Sequence, residues 1–95
     1  MHIITRKRLL EFAQKHPDCA HALESWYRII KLTNFNTFIE LRRVFPSADQ
    51  VEKFTVFNIG GNKIRLIAAI HYNIHRVYIR HVLTHAEYDK NKWKE

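Results

Sequence analysis

Apolar residues recur along this chain in two rhythms, and the rhythm changes near its middle. In the first half they fall at three- and four-residue steps: Leu9, Leu10, Phe12 and Ala13, then Ala22, Leu23, Trp26 and Ile30. That spacing lines one face of a helix. It predicts a first helix over residues 5–15, capped by Thr5, and a second over about 17–32, with Pro17 at a first helical position that suits its fixed φ. Thr37-Phe38-Ile39-Glu40 has the spacing of a capping box and predicts a short third helix, Phe38–Val44, ending before Pro46. Upstream, His2 to Thr5 reads as a short β-branched strand, and the polar stretch 47–53 as a connecting loop.

Over residues 54–90 the period shortens to two, and segments 55–59, 63–72 and 76–83 read as strands. Gly60-Gly61, the only glycines, separate the first two, where a tight hairpin needs positive φ. Asn73 is the residue most tolerant of a left-handed turn between the second and third. Along the middle strand Ile64, Leu66, Ala68 and Ile70 alternate onto one face, and Lys63, Arg65, Ile67, Ala69 and His71 onto the other. Both faces are apolar at mid-strand, which predicts helices on one side and a partly enclosed surface on the other. In the third strand, alternation groups Val77, Ile79 and His81 against Tyr78 and Arg80. The order of elements is that of an α+β fold, an N-terminal strand and two to three helices packed on an antiparallel β-sheet.

Ninety-five residues form one domain, residues 1–95, without repeats or an internal linker. Sixteen Lys and Arg against nine Asp and Glu give a net charge of +7, which favours a polyanion or an acidic protein as partner. The lone Cys19 has no internal disulfide partner and is expected to be a small apolar helix residue, in keeping with a reducing cytoplasm. No apolar stretch approaches a membrane span, and the first residues are too short for a signal-peptide core, so a cytoplasmic protein is the expectation.

Seven histidines raise the question of a metal, but none forms a helical ligand pair and no cysteine cluster supports one; no metal and no cofactor are expected. Walker, dinucleotide-binding and nucleophile-elbow motifs are missing, as are credibly spaced paired carboxylates. What remains is a surface of cations, rings and imidazoles: Lys63, Arg65, Arg80, His85, Tyr88, Lys90, Lys92, Trp93 and Lys94, with Arg6, Lys7 and Arg8 at the start of the first helix. Metal-free RNA cleavage needs these types, to move protons at the 2′- and 5′-oxygens and to stabilise the extra phosphoryl charge. The same cations also suit plain phosphate binding, or structural pairing of Arg65 and Arg80 with acids. Chemistry alone leaves these three readings open.

The stretch VFNIGGNKIRLIAAIHY followed by VYIRHVLTHAEYDKNKW strongly resembles the HigB toxins of bacterial type II toxin–antitoxin modules, within the RelE superfamily. MHIITRKRLLEFAQKHP and FIELRRVFPSADQV extend the likeness over essentially the whole chain. The resemblance implies a ribosome-dependent mRNA interferase that enters the ribosomal A site and cuts translated mRNA without a metal. It also implies a HigA-type helix-turn-helix antitoxin, through which alone the toxin would meet operator DNA. By position, Arg65 matches the superfamily's phosphate-binding arginine and Tyr88 a catalytic tyrosine. His85 lies where relatives carry a further polar or basic group and becomes the acid–base candidate. Lys63, Arg80, Lys90, Lys92, Arg6, Lys7 and Arg8 become contacts to RNA or ribosome, and Asp89 a residue that orients a neighbour. Thr84-His85 depart from the RelE pattern, standing where several relatives have another arginine. An inactive RNA- or ribosome-binding module on the same scaffold is the alternative.

Overall fold

The computed structural model describes residues 1–61 and 63–94; Lys94, one of the expected surface cations, has a side chain outside the described part. The elements are β1 (His2–Ile4), α1 (Lys7–Lys15), a 3-10 turn Pro17–Cys19 running into α2 (Ala20–Leu32), α3 (Phe38–Val44), β2 (Asp49–Val51), β3 (Phe54–Ile59), β4 (Ile64–His71), β5 (Arg76–Thr84) and α4 (His85–Asp89), followed by a 3-10 turn Lys92–Lys94. The five strands form one sheet in the order β1-β5-β4-β3-β2. Strands β3, β4 and β5 pair antiparallel, as alternation and the turns predict, and β2 adds a further antiparallel partner to β3. Strand β1 is the exception: it pairs parallel to β5, His2 opposite Arg76, which the long helical connection makes possible.

The middle strand sorts its side chains to the two faces as its pattern dictates. Ile64, Leu66 and Ala68 join Phe57, Ile59, Val77 and Ile79 in a core covered by Leu9 and Phe12 of α1, Leu23, Trp26 and Ile30 of α2, and Leu41 of α3. Trp26 is buried edge-on against Phe57, with ring centroids 5.3 Å apart, so it is an anchor of this core. Burying a side chain of this kind stabilises by roughly 1.5–3 kcal/mol. On the opposite face a smaller cluster of Phe54, Val56, Ile67 and Trp93, with Tyr88 against it, closes the partly enclosed surface.

Several local expectations change. Thr5 does not cap α1: Arg6 holds the cap position and no side-chain hydrogen bond closes the first turn. The Arg6 guanidinium instead stacks on Tyr27, 4.3 Å from the ring centroid, and bonds Glu24 at 3.3 Å. Thr37 caps α3 by accepting from Glu40 N–H, but the Glu40 carboxylate accepts from Asn36 N–H, one residue before the position a reciprocal box uses. The expected loop 47–53 contains β2, a polar edge strand whose alternation is too short to read but whose ladder is completed by β3. Gly60 and Gly61 both take positive φ, as the hairpin requires. In the second turn the left-handed residue is His75, φ 53°, after a 3-10 turn Tyr72–Ile74; its ring lies 3.2 Å from Asn36 Oδ1.

Strand β5 carries the change that matters most. Ile79 pairs with Ala68 and His81 with Ile67, so Arg80 has no opposite residue on β4 and forms a bulge. The bulge reverses parity: Val77 and Ile79 serve the helix side with Val82, while His81 and Leu83 pass to the Arg65 face. Alternation had put His81 with Val77 and Ile79.

Candidate active site

Arg65 sits on β4 facing away from the main core and is only 8 % exposed. Its Nη1 donates to the Ile64 carbonyl at a long 3.4 Å, and its guanidinium carbon lies 5.6 Å from the Tyr88 ring centroid, within cation–π reach. A guanidinium in so dry a setting exerts a stronger field than one in water. Tyr88 in turn stacks on Trp93, centroids 5.2 Å apart and planes 14° from parallel, and Trp93 Nε1 donates to the Tyr88 carbonyl at 3.2 Å.

This stack exists because of how α4 begins and ends. Thr84 accepts from Glu87 N–H, and the Glu87 carboxylate accepts from Thr84 N–H at 3.0 Å, a complete capping box at the exit of β5. Those hydrogen bonds, the backbone bond to Thr84 first, hold the Glu87 carboxyl below the usual glutamate range. After the helix, Asn91 adopts φ 59° and donates to the Tyr88 carbonyl, so the chain doubles back and lays Trp93 on Tyr88. The Thr84-x-x-Glu87 spacing and the following Asn are the sequence signals that find α4; the expected surface role of Trp93 is corrected by its burial at 5 %.

His85 is the first residue of α4, and its N–H donates to the Lys63 carbonyl at 3.1 Å, tying α4 to the β3–β4 turn. Its Nδ1 meets Asp89 Oδ2 at 2.9 Å across one helical turn. A carboxylate accepts only, so Nδ1 is the donor in this pair and Nε2 is left as the other ring nitrogen. Both side chains are exposed. The structure thus gathers Arg65, Tyr88, His85, Asp89 and the backbone of Lys63 at one end of the sheet.

The remaining basic residues divide. Arg6 and Lys7 are engaged within the molecule, Lys7 with Glu11 at 3.7 Å. Arg8 and Arg80 instead converge on His81, whose pKa is lowered by burial and then by those two charges. Lys90 and Lys92 flank Glu87 and Trp93 beyond α4. Cys19 is buried, and burial together with Asp18 pushes its thiol upward, which suits an inert packing residue. Among the described residues no group of three His, Cys, Asp or Glu could hold a metal ion, and no helix is long and apolar enough to cross a membrane.

A mostly antiparallel five-stranded sheet with three helices on one face is an α+β fold consistent with the RelE-like toxins. Residues 19–91 match the family described as HigB toxin, RelE-like toxic component of a toxin–antitoxin system, and the chain belongs to that family. It is 44 % identical over 93 residues to the mRNA interferase HigB of Escherichia coli O6:H1, covering 95 % of this chain and 90 % of that protein. Over 92 residues it is 39 % identical to the mRNA interferase toxin HigB of Escherichia coli strain K12 and to the mRNA interferase HigB of Shigella flexneri, covering 94 % of this chain and 88 % of each relative.

Proposed function

We propose that this toxin is an endoribonuclease that cleaves mRNA on the translating ribosome, at the A site, by a metal-free reaction in the cytoplasm. Its membership of the HigB family and the names of its relatives support the activity; the juxtaposition of Arg65 and Tyr88, with His85 beside them, supports the site. In the reaction the 2′-oxygen attacks the adjacent phosphorus and the bond to the 5′-oxygen breaks. The products are a 2′,3′-cyclic phosphate and a 5′-hydroxyl. One proton leaves the 2′-hydroxyl and one reaches the 5′-oxygen, exchanged with His85 Nε2 and the Tyr88 hydroxyl. Arg65, aided by Lys63, stabilises the charge that accumulates on the phosphoryl oxygens. Arg80, Lys90, Lys92, Arg6, Lys7 and Arg8 are assigned to RNA and ribosome contact. The partner is an antitoxin of the HigA type, a helix-turn-helix repressor that carries the toxin to operator DNA.

RNA 3′-end mapping on translating ribosomes after brief induction tests this reading. Wild type should give in-frame cuts in the A-site codon, and Arg65→Ala should lower single-turnover cleavage on the order of 10²–10³-fold. Because Arg65 is buried, Arg65→Lys serves as a second variant that keeps a charge in place and fails for lack of the planar fork. Undiminished cutting by both variants would discard the site. Translation that stops without new RNA ends would make the protein a ribosome blocker, and rapid cutting of naked mRNA would remove the ribosome from the reaction.

A further inference from the structure

Strand β1 covers β5 only at Arg76, Val77 and Tyr78; beyond Tyr78 that side of β5 lies beside α1. Three adjoining hollows of about 380, 250 and 320 Å³ run along this side, and His81 lines all three. The first is walled by Arg8 and Arg80 beside Tyr78, the second by Arg8 and Lys15 of α1, and the third by Lys90, Lys92 and Trp93. All five cations are exposed, and among the described residues none has a carboxylate within ion-pair distance. The two acids on the walls are engaged elsewhere, Glu11 with Lys7 and Glu87 in the Thr84 cap. The third hollow opens at Trp93, whose ring stacks on Tyr88 over Arg65.

We propose that this trough between α1, β5 and α4 is a binding path for single-stranded RNA, leading one side of the scissile phosphate from the Arg65–Tyr88 cluster to α1, with Lys15 as a phosphate contact and His81 as a hydrogen-bonding group on its floor. The proposal rests on the endoribonuclease reading for the strand it carries, and adds Lys15, His81 and a direction. Five cations spaced along a groove whose last hollow is walled by Trp93, the ring stacked on Tyr88, suit a sugar–phosphate backbone. His81 has a different use. Burial and the neighbouring Arg8 and Arg80 disfavour its charged form, so it offers one donor and one acceptor, which suits a ribose 2′-hydroxyl or a base edge better than a phosphate. An acidic peptide is the competing polyanion; Phe12, Val82, Leu83 and Trp93 also line the hollows, so RNA is set directly against such a peptide in the test.

Fluorescence anisotropy with a labelled single-stranded 12-mer RNA tests the trough on the intact toxin. The Arg8→Ala/Lys15→Ala and Lys90→Ala/Lys92→Ala pairs should each weaken binding about tenfold or more and lower the log–log salt slope by about 1.4, two phosphates at 0.7 each. His81→Phe keeps the ring, loses both nitrogens, and should weaken binding about fivefold without changing the slope. Arg42→Ala/Arg43→Ala on α3 removes the same charge elsewhere and should shift affinity less than twofold. Wild type that binds no RNA, or trough pairs that behave like the α3 pair, would overturn the proposal, as would a polyglutamate peptide binding as tightly as the RNA. Cleavage on translating ribosomes, measured in parallel, separates the two readings. Cleaving wild type with indifferent trough variants defeats the path alone. Trough-dependent binding by a wild type that never cleaves defeats the endoribonuclease reading and leaves the path standing.

Discussion

The 2.9 Å contact between His85 Nδ1 and Asp89 Oδ2 anchors an exposed imidazole through one ring nitrogen. Without the carboxylate the ring would sample both tautomers and several rotamers, and each productive encounter would first have to order it. Under the proposed mechanism Asp89 is a positioning residue. Asp89→Ala should lower the single-turnover rate between about 10- and 100-fold at saturating ribosomes while leaving their half-saturation unchanged, with Asp89→Glu restoring part of the loss. A fall in affinity instead of rate, or no rescue by Glu, would place Asp89 in binding or folding. Arg65 shows the opposite economy at the same scale. It is held by a buried sheet position and an aromatic neighbour, so its orientation is a property of the fold.

At the scale of elements, α4 is the shortest α-helix among the described residues and the one on which the proposed site depends. Five residues cannot form a stable helix through propensity alone, since nucleation is unfavourable and each end leaves backbone groups unsatisfied. The Thr84–Glu87 box at one end and left-handed Asn91 at the other supply what propensity cannot. Thr84→Ala should cost about 1 kcal/mol in chemical denaturation, and cleavage should fall with it because Tyr88 and His85 lose their placement. The Glu87 carboxyl has its folded pKa below the unfolded value of 4.5. The unfolded chain thus binds the proton first on acidification, and this stabilisation is present above about pH 4.5 and lost as pH falls through the folded pKa. Thermal melts should show the loss in wild type below that pH and a flatter acid limb in Glu87→Gln; identical limbs would remove Glu87 from the acid response.

For the whole molecule, seven net positive charges on so small a domain would make the proposed approach to a ribosome an electrostatic matter. Co-sedimentation with ribosomes should weaken about 10³-fold or more between 50 and 200 mM salt if six phosphates are contacted. A flat salt response would assign recognition to shape and apolar contact instead. The sheet divides the molecule's tasks: one face is given to the large core under α1, α2 and α3, the other to a small cluster beneath Tyr88 and Trp93. That division keeps the polar site off the main core, so site substitutions there need not unfold the protein.

Much of this was already written in the order of residues. Helical spacing located α1 and α2, the Thr37–Glu40 spacing located α3, alternation sorted Leu66 from Arg65, and the glycine pair marked the hairpin, because each is a local consequence of one chain's geometry. The family likeness, carried by the long strand run and the His85-to-Asp89 segment, belongs to the sequence as well. Three features required the folded chain. The Arg80 bulge exists only relative to β4, and it alone carries His81 to the Arg65 face. Strand β2 is too polar and short to announce itself without β3 as a template. The parallel seat of β1 beside β5, which leaves the rest of that edge to the trough, depends on where α1 and α2 return the chain. Local patterning determines which elements form and which side of each is apolar; contacts between residues far apart in sequence decide which polar side chains meet.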